Sequence, residues 1–381
     1  MNSDPVKNTP AHSWFFRMMT WLFWLVGILI ILILFVLPVL ASWALKSGYA
    51  PKNLSSFLSL LATAQTWLAR IVSTLWIFFL GSCFASFLNV VAWRVPRGGL
   101  ITGSSHCPDC DQQLRFRDNT PIIGWLRNGG RCSNCGLSIP IRYLLVEIFL
   151  GTLFLLFASV QLLTGGWNLP FVPLEKLRGF EHLISDPNPG LISLTVYHLV
   201  LICLLFTFTL IKSETLKIPR KVWLVGLAFG FLLPVVWPSM NLVSWELGQV
   251  EPTVFDRGSW SQLLTLGLGL TVGIALGILL QYWRPVGEAE HPYVFQPTYI
   301  GEEIAALSLV GLFLGWQSAL SVCLLCLPLV LLAFLTRLRW SLFGPTGCIF
   351  LATLIHLFCW RITTNCPYWP SGQSNWLGWI Q

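Results

Sequence analysis

The chain has 381 residues, of which 55% are hydrophobic and 10% charged, with a formal net charge of +7. An ordinary soluble domain carries roughly 25% charged residues, so a soluble globular fold is excluded and most of this chain is expected to sit in lipid. The basic residues are dispersed and form no continuous stripe, which argues against a nucleic-acid surface.

Apolar runs of about 18 residues or more are the transmembrane signal. They predict about nine spans, over 24–45, 71–93, 143–163, 190–212, 219–237, 260–281, 299–316, 318–336 and 343–361. Lipid offers no partner for open sheet edges, so the expected fold class is an all-α polytopic membrane protein. The first run is too long for a cleavable signal and lacks a small-residue cleavage site, so it reads as an anchor.

Short loops rich in Lys and Arg stay on the cytoplasmic side. The segment 94–142, with Arg94, Arg97, Arg115, Arg117, Arg127, Arg131 and Arg142, is therefore expected inside, as is the link 212–221, with Lys212, Lys217, Arg220 and Lys221. Lys7, Arg17, Arg284, Arg337 and Arg339 follow them, and the link holding Glu246, Glu251 and Asp256 falls outside. This is the orientation of an inner-membrane protein. Trp223, Trp237, Trp260, Trp283, Trp316 and Trp340 lie at or near span ends, as an interfacial aromatic belt would.

Between the second and third spans, HCPDCDQQLRFRDNTPIIGWLRNGGRCSNCGLSIPIRY carries Cys107, Cys110, Cys132 and Cys135 as two Cys-x-x-Cys pairs. Such spacing suits a tetrahedral zinc site built on two tight knuckle turns. Two disulfides are the alternative, and the reducing compartment expected for this loop favours zinc. With four protein ligands the site is closed, so the metal is structural and the loop a small cytoplasmic zinc-ribbon-like domain. Cys323 and Cys326 repeat the spacing inside an apolar span and read as packing thiols. Cys83, Cys203, Cys348, Cys359 and Cys366 have no usable spacing, and the lone His106 and His356 read as structural.

The stretch GSCFASFLNVVAWRVPRG at 81–98, the two Cys pairs with RDNTPIIGWL between them, and RYLLVE at 142–147 together resemble the prepilin peptidase family, the type 4 prepilin leader peptidases. LVGLFLGWQ at 309–317 and LFGP at 342–345 extend the likeness over about 75–360. The resemblance implies a membrane aspartic endopeptidase that removes the basic leader from type IV pilin-like or pseudopilin precursors. It also implies N-methylation of the new terminus with S-adenosylmethionine, for which Glu147, Arg94 and Arg142 are candidates. The domains that follow are an anchor and linker at 1–70, a prepilin-peptidase-type N-terminal domain at 71–163 with its zinc loop at 94–142, a peptidase-like helical domain at 164–361, and a tail rich in Trp, Pro and Gly at 362–381.

Aspartic proteolysis needs two carboxylates close enough to share one proton, one drawing a proton from water while the other protonates the scissile carbonyl. By the family pattern the first acid falls on Lys212, seven residues before Pro219, and the second on Glu303, with Glu302 in the place of a glycine and Ala305 in that of a lysine. Three readings compete. Glu214 replaces the missing aspartate and forms a dyad with Glu303, although Lys212 nearby would hold Glu214 ionised. Alternatively Lys212 pairs with Glu302 or Glu303, and the protein binds pilin-like precursors or secretion machinery without cutting. Or the acids are ordinary interfacial residues placed near a helix N-terminus.

Overall fold

The structure, a computed structural model, describes residues 54–103, 105–107, 109–170, 188–237, 240, 259–282, 299–335 and 344–364, together with Leu25, Ile28, Leu29, Leu32 and Val36. Most of the expected anchor at 24–45, the acidic link with Glu246, Glu251 and Asp256, and the expected tail at 362–381 from residue 365 onward lie outside the described residues. Two compact units divide the chain, Met1–Leu75 and Trp76–Gln381. In the first, the described stretch is helical from Leu54, and Arg70 stacks over the Trp67 ring at 5.4 Å.

The elements run α1 (Leu54–Arg94), a 3-10 turn (Val95–Arg97), α2 (Ile123–Arg127), α3 (Ile141–Ala158, continued by a π turn to Leu163), α4 (Pro189–Ser213), β1 (Ile218–Pro219), α5 (Arg220–Val236), α6 (Ser259–Tyr282), β2 (Tyr299–Ile300), α7 (Glu302–Leu314), α8 (Trp316–Leu335) and α9 (Pro345–Thr364). Among the described residues six helices are long and apolar enough to cross a membrane: Thr63–Arg97, Ile141–Leu163, Pro189–Ser213, Leu263–Tyr282, Trp316–Ala333 and Pro345–Thr363. Nine spans are not confirmed: six of the expected runs correspond to these helices, and most of the first run lies outside the described residues. Runs 219–237 and 299–316 form helices of 17 and 13 residues, because β1 and β2 take their leading residues and Gly315, at φ 88°, ends the second. Thirteen helical residues rise only ~20 Å, short of the ~30 Å hydrocarbon layer.

That short helix is the centre of the second unit. Every residue of α7 except Ile304 is buried, and it packs against α4, α5, α6, α8 and α9. An apolar run of this length is more often a buried core helix than a span, and shielding by neighbours is how such a helix avoids lipid. Its closest neighbour is α6, through a stripe of glycines four residues apart. A Cβ on Gly269 would lie 2.0 Å from the Gly311 carbonyl oxygen, one on Gly273 2.2 Å from that of Leu307, and one on Gly277 2.5 Å from the Ile304 Cα. Small residues let backbones touch, and dispersion then replaces the hydrophobic drive that lipid does not provide.

The other side of α7 meets α5, where Gly226 and Gly230 accept the Leu309 and Leu312 side chains. Pro234 sits inside α5 and has no N–H to offer the Gly230 carbonyl four residues back. Tyr197 of α4 donates its hydroxyl to that carbonyl at 2.9 Å, and its ring stacks on Phe313 at 4.4 Å. Replacing Tyr197 with Phe keeps the stacking and leaves a buried carbonyl without its donor, which costs about 1–3 kcal/mol. The Tyr197→Phe protein should melt several degrees lower in detergent, as measured by thermal unfolding; an unchanged transition would mean the carbonyl finds another donor.

Candidate functional site

Two constructions define the site. The first is the meeting of α4, β1, β2 and α7. Ile218 pairs with Ile300 and Pro219 with Tyr299 in an antiparallel ladder, and the Arg220 Nε–H donates to the Tyr299 carbonyl at 3.0 Å. Six residues before β1 and two after β2 the chain carries Lys212 and Glu302, and the ladder brings them together, Nζ to Oε2 at 3.5 Å. Glu302 and Glu303 occupy the first turn of α7, and Glu303 is only 2% exposed. Acids in a first turn are favoured by the helix dipole.

Glu214, two residues past Lys212, faces elsewhere. Its carboxylate contacts the Arg142 guanidinium, and Arg97 lies 3.7 Å from its second oxygen. Arg97 in turn stacks over Trp93 at 3.5 Å. Two arginines keep a carboxylate ionised, the opposite of what a shared-proton pair requires.

The second construction is the loop between α1 and α3. Its two cysteine knuckles have the same hydrogen bonds. The Cys107 N–H donates to Gln112 O and the Asp111 N–H to Cys107 O; the Cys132 N–H donates to Leu137 O and the Gly136 N–H to Cys132 O. The fifth position of each turn has positive φ, 52° at Asp111 and 77° at Gly136. The four Sγ atoms lie within 4.8 Å of one another, with Cys107 and Cys135 at 3.7 Å. A tetrahedron with Zn–S bonds of about 2.3 Å has edges of about 3.8 Å, so the free thiols fit a metal ion. Backbone N–H groups of Cys135 and Asn134 pull the Cys132 thiol down to about 6; at Cys135 the Leu137 N–H lowers the pKa, but burial and crowding by the other three sulfurs outweigh it and raise the thiol to about 12. A bound cation would relieve that crowding.

Asp118 ties the knuckles to the rest of the loop by accepting from Asn128 Nδ2 and Ser133 Oγ, both at 3.0 Å. Partial burial raises its pKa, but these donors and the charges of Arg127 and Arg115 outweigh it and hold the carboxyl below its usual range. Within RDNTPIIGWL, Asp118 has no role that the sequence pattern alone assigns. Its signal was an acid between two cysteine pairs otherwise flanked by arginines.

Glu147, on the second turn of α3, is buried and accepts the Ile122 N–H at 2.7 Å. Ile122 has φ 63°, a conformation a β-branched residue adopts only under constraint, and Glu147 supplies part of that constraint. Of the candidates for methyl-donor binding, Glu147 thus holds the loop backbone, Arg142 faces Glu214, and Arg94 caps the 3-10 turn through its carbonyl, which accepts from Gly99 N at 2.8 Å. Asn89, on α1, is also buried.

Comparison with known proteins follows this layout. Residues 79–160 match the family model described as the bacterial peptidase A24 N-terminal domain. The chain is 35% identical over 256 residues to the prepilin leader peptidase/N-methyltransferase of Dichelobacter nodosus, covering 52% of this chain and 85% of that one. It is 33% identical over 210 residues to the enzyme of the same description from Myxococcus xanthus, covering 54% and 58%. It is 39% identical over 114 residues to the type 4 prepilin-like proteins leader peptide-processing enzyme of Escherichia coli, covering 25% and 42%. The chain thus spans about half the length of these last two relatives. No solved structure matches. The fold and site define a polytopic helical membrane protein with a four-cysteine lobe. It belongs to the prepilin leader peptidase family.

Removing one partner of a largely desolvated ion pair leaves an uncompensated charge, whereas removing both does not. Lys212→Met should therefore lower the melting temperature more than Lys212→Met with Glu302→Gln, a difference readable in a double-mutant cycle. For the lobe, purified protein should carry about one zinc per chain by elemental analysis. Cys107→Ser should abolish it and open residues 98–140 to limited proteolysis; full metal content in that variant would exclude a four-thiolate site.

Proposed function

We propose that this chain recognises pilin-like or pseudopilin precursors at the cytoplasmic face of the inner membrane and does not cut them with a pair of acids. The observation that carries this reading is the Lys212–Glu302 contact at 3.5 Å. It occupies the junction where the family pattern puts its two catalytic positions, Lys212 and Glu303. A lysine beside a carboxylate stabilises the charged form of both groups. General acid–base catalysis by a dyad needs one carboxyl protonated and its partner ionised. Glu214 does not supply the missing member, since its carboxylate is turned toward Arg142 and Arg97.

The relatives' names support the partner, a prepilin-type protein with a leader. Orientation rests on the positive-inside distribution of Arg94, Arg97, Arg142, Lys212 and Arg220. The cysteine lobe would serve as a folded, metal-held structure beside the junction, with Cys107, Cys110, Cys132 and Cys135 holding zinc. When bound, S-adenosylmethionine would supply an electrophilic methyl group; Glu147, Arg94 and Arg142 remain candidates to position it in the N-terminal half. Glu147 would then act mainly by fixing the loop at Ile122.

Purified protein in detergent, incubated with a pilin-like precursor, should bind it and leave its length unchanged by mass spectrometry. Cleavage that disappears in both Glu303→Gln and Glu214→Gln would overturn this reading in favour of a Glu214–Glu303 dyad. Conversely, Lys212→Asp combined with Glu303→Asp restores two carboxylates at the junction and should produce cleavage where the parent has none. Incorporation of a labelled methyl group into a precursor already cleaved would separate methyl transfer from binding alone.

A further inference from the structure

The cysteine lobe exposes apolar side chains that its metal-binding role does not use. Phe116 is 88% exposed, Ile123 58% and Leu126 58%. On α2, at about 100° per residue, Ile123, Leu126 and Arg127 fall within one arc of about 100°. The opposite arc points into the lobe. A Cβ on Gly124 would lie 2.4 Å from the Asp118 carbonyl oxygen, and the Trp125 indole covers Gly130 and donates to Ile139 O at 3.2 Å. The outward face of α2 is thus two aliphatic side chains and a guanidinium. Phe116, a short way back along the loop, is flanked by the exposed Arg115 and Arg117.

The depth of this face is fixed by Glu147. That residue lies six positions into the α3 span beyond Ile141, a rise of about 9 Å, and it accepts the N–H of Ile122, the residue at the head of α2. The hydrogen bond therefore holds α2 alongside the first two turns of a membrane-crossing helix. In a bilayer crossed by α3 from Ile141, that level would hold the lipid headgroups and the upper acyl chains. Two exposed aliphatic side chains with exposed arginines beside them form the pattern of an interfacial element, which binds by apolar burial together with attraction to anionic lipid.

We propose that residues 115–127 form a membrane-interfacial contact. Ile123 and Leu126 enter the acyl boundary, and Arg115, Arg117 and Arg127 engage the phosphates of anionic phospholipids in the bilayer that the protein spans. The contact holds the cysteine lobe against the membrane beside the Lys212–Glu302 junction. It does not depend on whether the chain cuts, methylates or only binds a precursor.

Hydrogen exchange tests this on the full chain in nanodiscs of phosphatidylcholine alone or phosphatidylcholine mixed with phosphatidylglycerol. Amides over 115–127 should exchange more slowly in the anionic discs, on the order of tenfold, while those of the cysteine knuckles change little. Arg127→Gln should reduce the difference between the two lipids. Ile123→Ser with Leu126→Ser should remove the protection in both, at unchanged metal content, which establishes that the lobe is still folded. Equal exchange in the two lipids overturns the proposal. So does protection that survives the double serine variant, because the face would then be covered by protein, either a second copy or a partner.

Discussion

The candidate site depends on a ladder of two residue pairs. Ile218 and Pro219 lie against Ile300 and Tyr299, and that pairing fixes the end of α4 against the start of α7 across more than 80 residues of sequence. Backbone hydrogen bonds in so short a ladder contribute little by themselves. They hold because α7 is buried on all sides and cannot move without opening the glycine contacts to α6. The junction of Lys212 and Glu302 is a consequence of packing in the middle of the bundle.

The same scaffold can carry opposite chemistry. Two carboxylates at such a junction repel when both ionise, so one retains a proton and the pair can donate and accept in turn. A lysine and a carboxylate attract, and the pair has no second carboxyl with which to share a proton. The change from one to the other needs no new backbone, only different side chains at 212 and at 302–303. In the proposed reading, the side chains present at the junction decide whether protons there can move.

Among the described residues, two acids couple the cysteine lobe to the bundle. Glu147 on α3 holds the Ile122 N–H, and Glu214 beyond α4 binds Arg142 and Arg97 on the chain entering and leaving the lobe. A loop with so little core of its own is ordered by four thiols, by Asp118 between its knuckles and by these two carboxylates. Glu147 and Glu214 thus both serve to join the lobe to the bundle.

Composition and local pattern determined a large part of this protein. The membrane class followed from apolar content, since runs of that length have no stable place in water. The four-cysteine site followed from spacing, because ligands close in sequence converge on one turn. The family likeness followed from motifs that are likewise local. Tertiary structure alone decided that 299–316 yields a 13-residue core helix rather than a span: hydropathy does not distinguish burial in lipid from burial in protein. It also decided the partners of Lys212, Glu214 and Glu147, since all three contacts join segments separated in the chain, and a sequence gives the charges of such groups without saying which opposite charge or backbone donor each one meets.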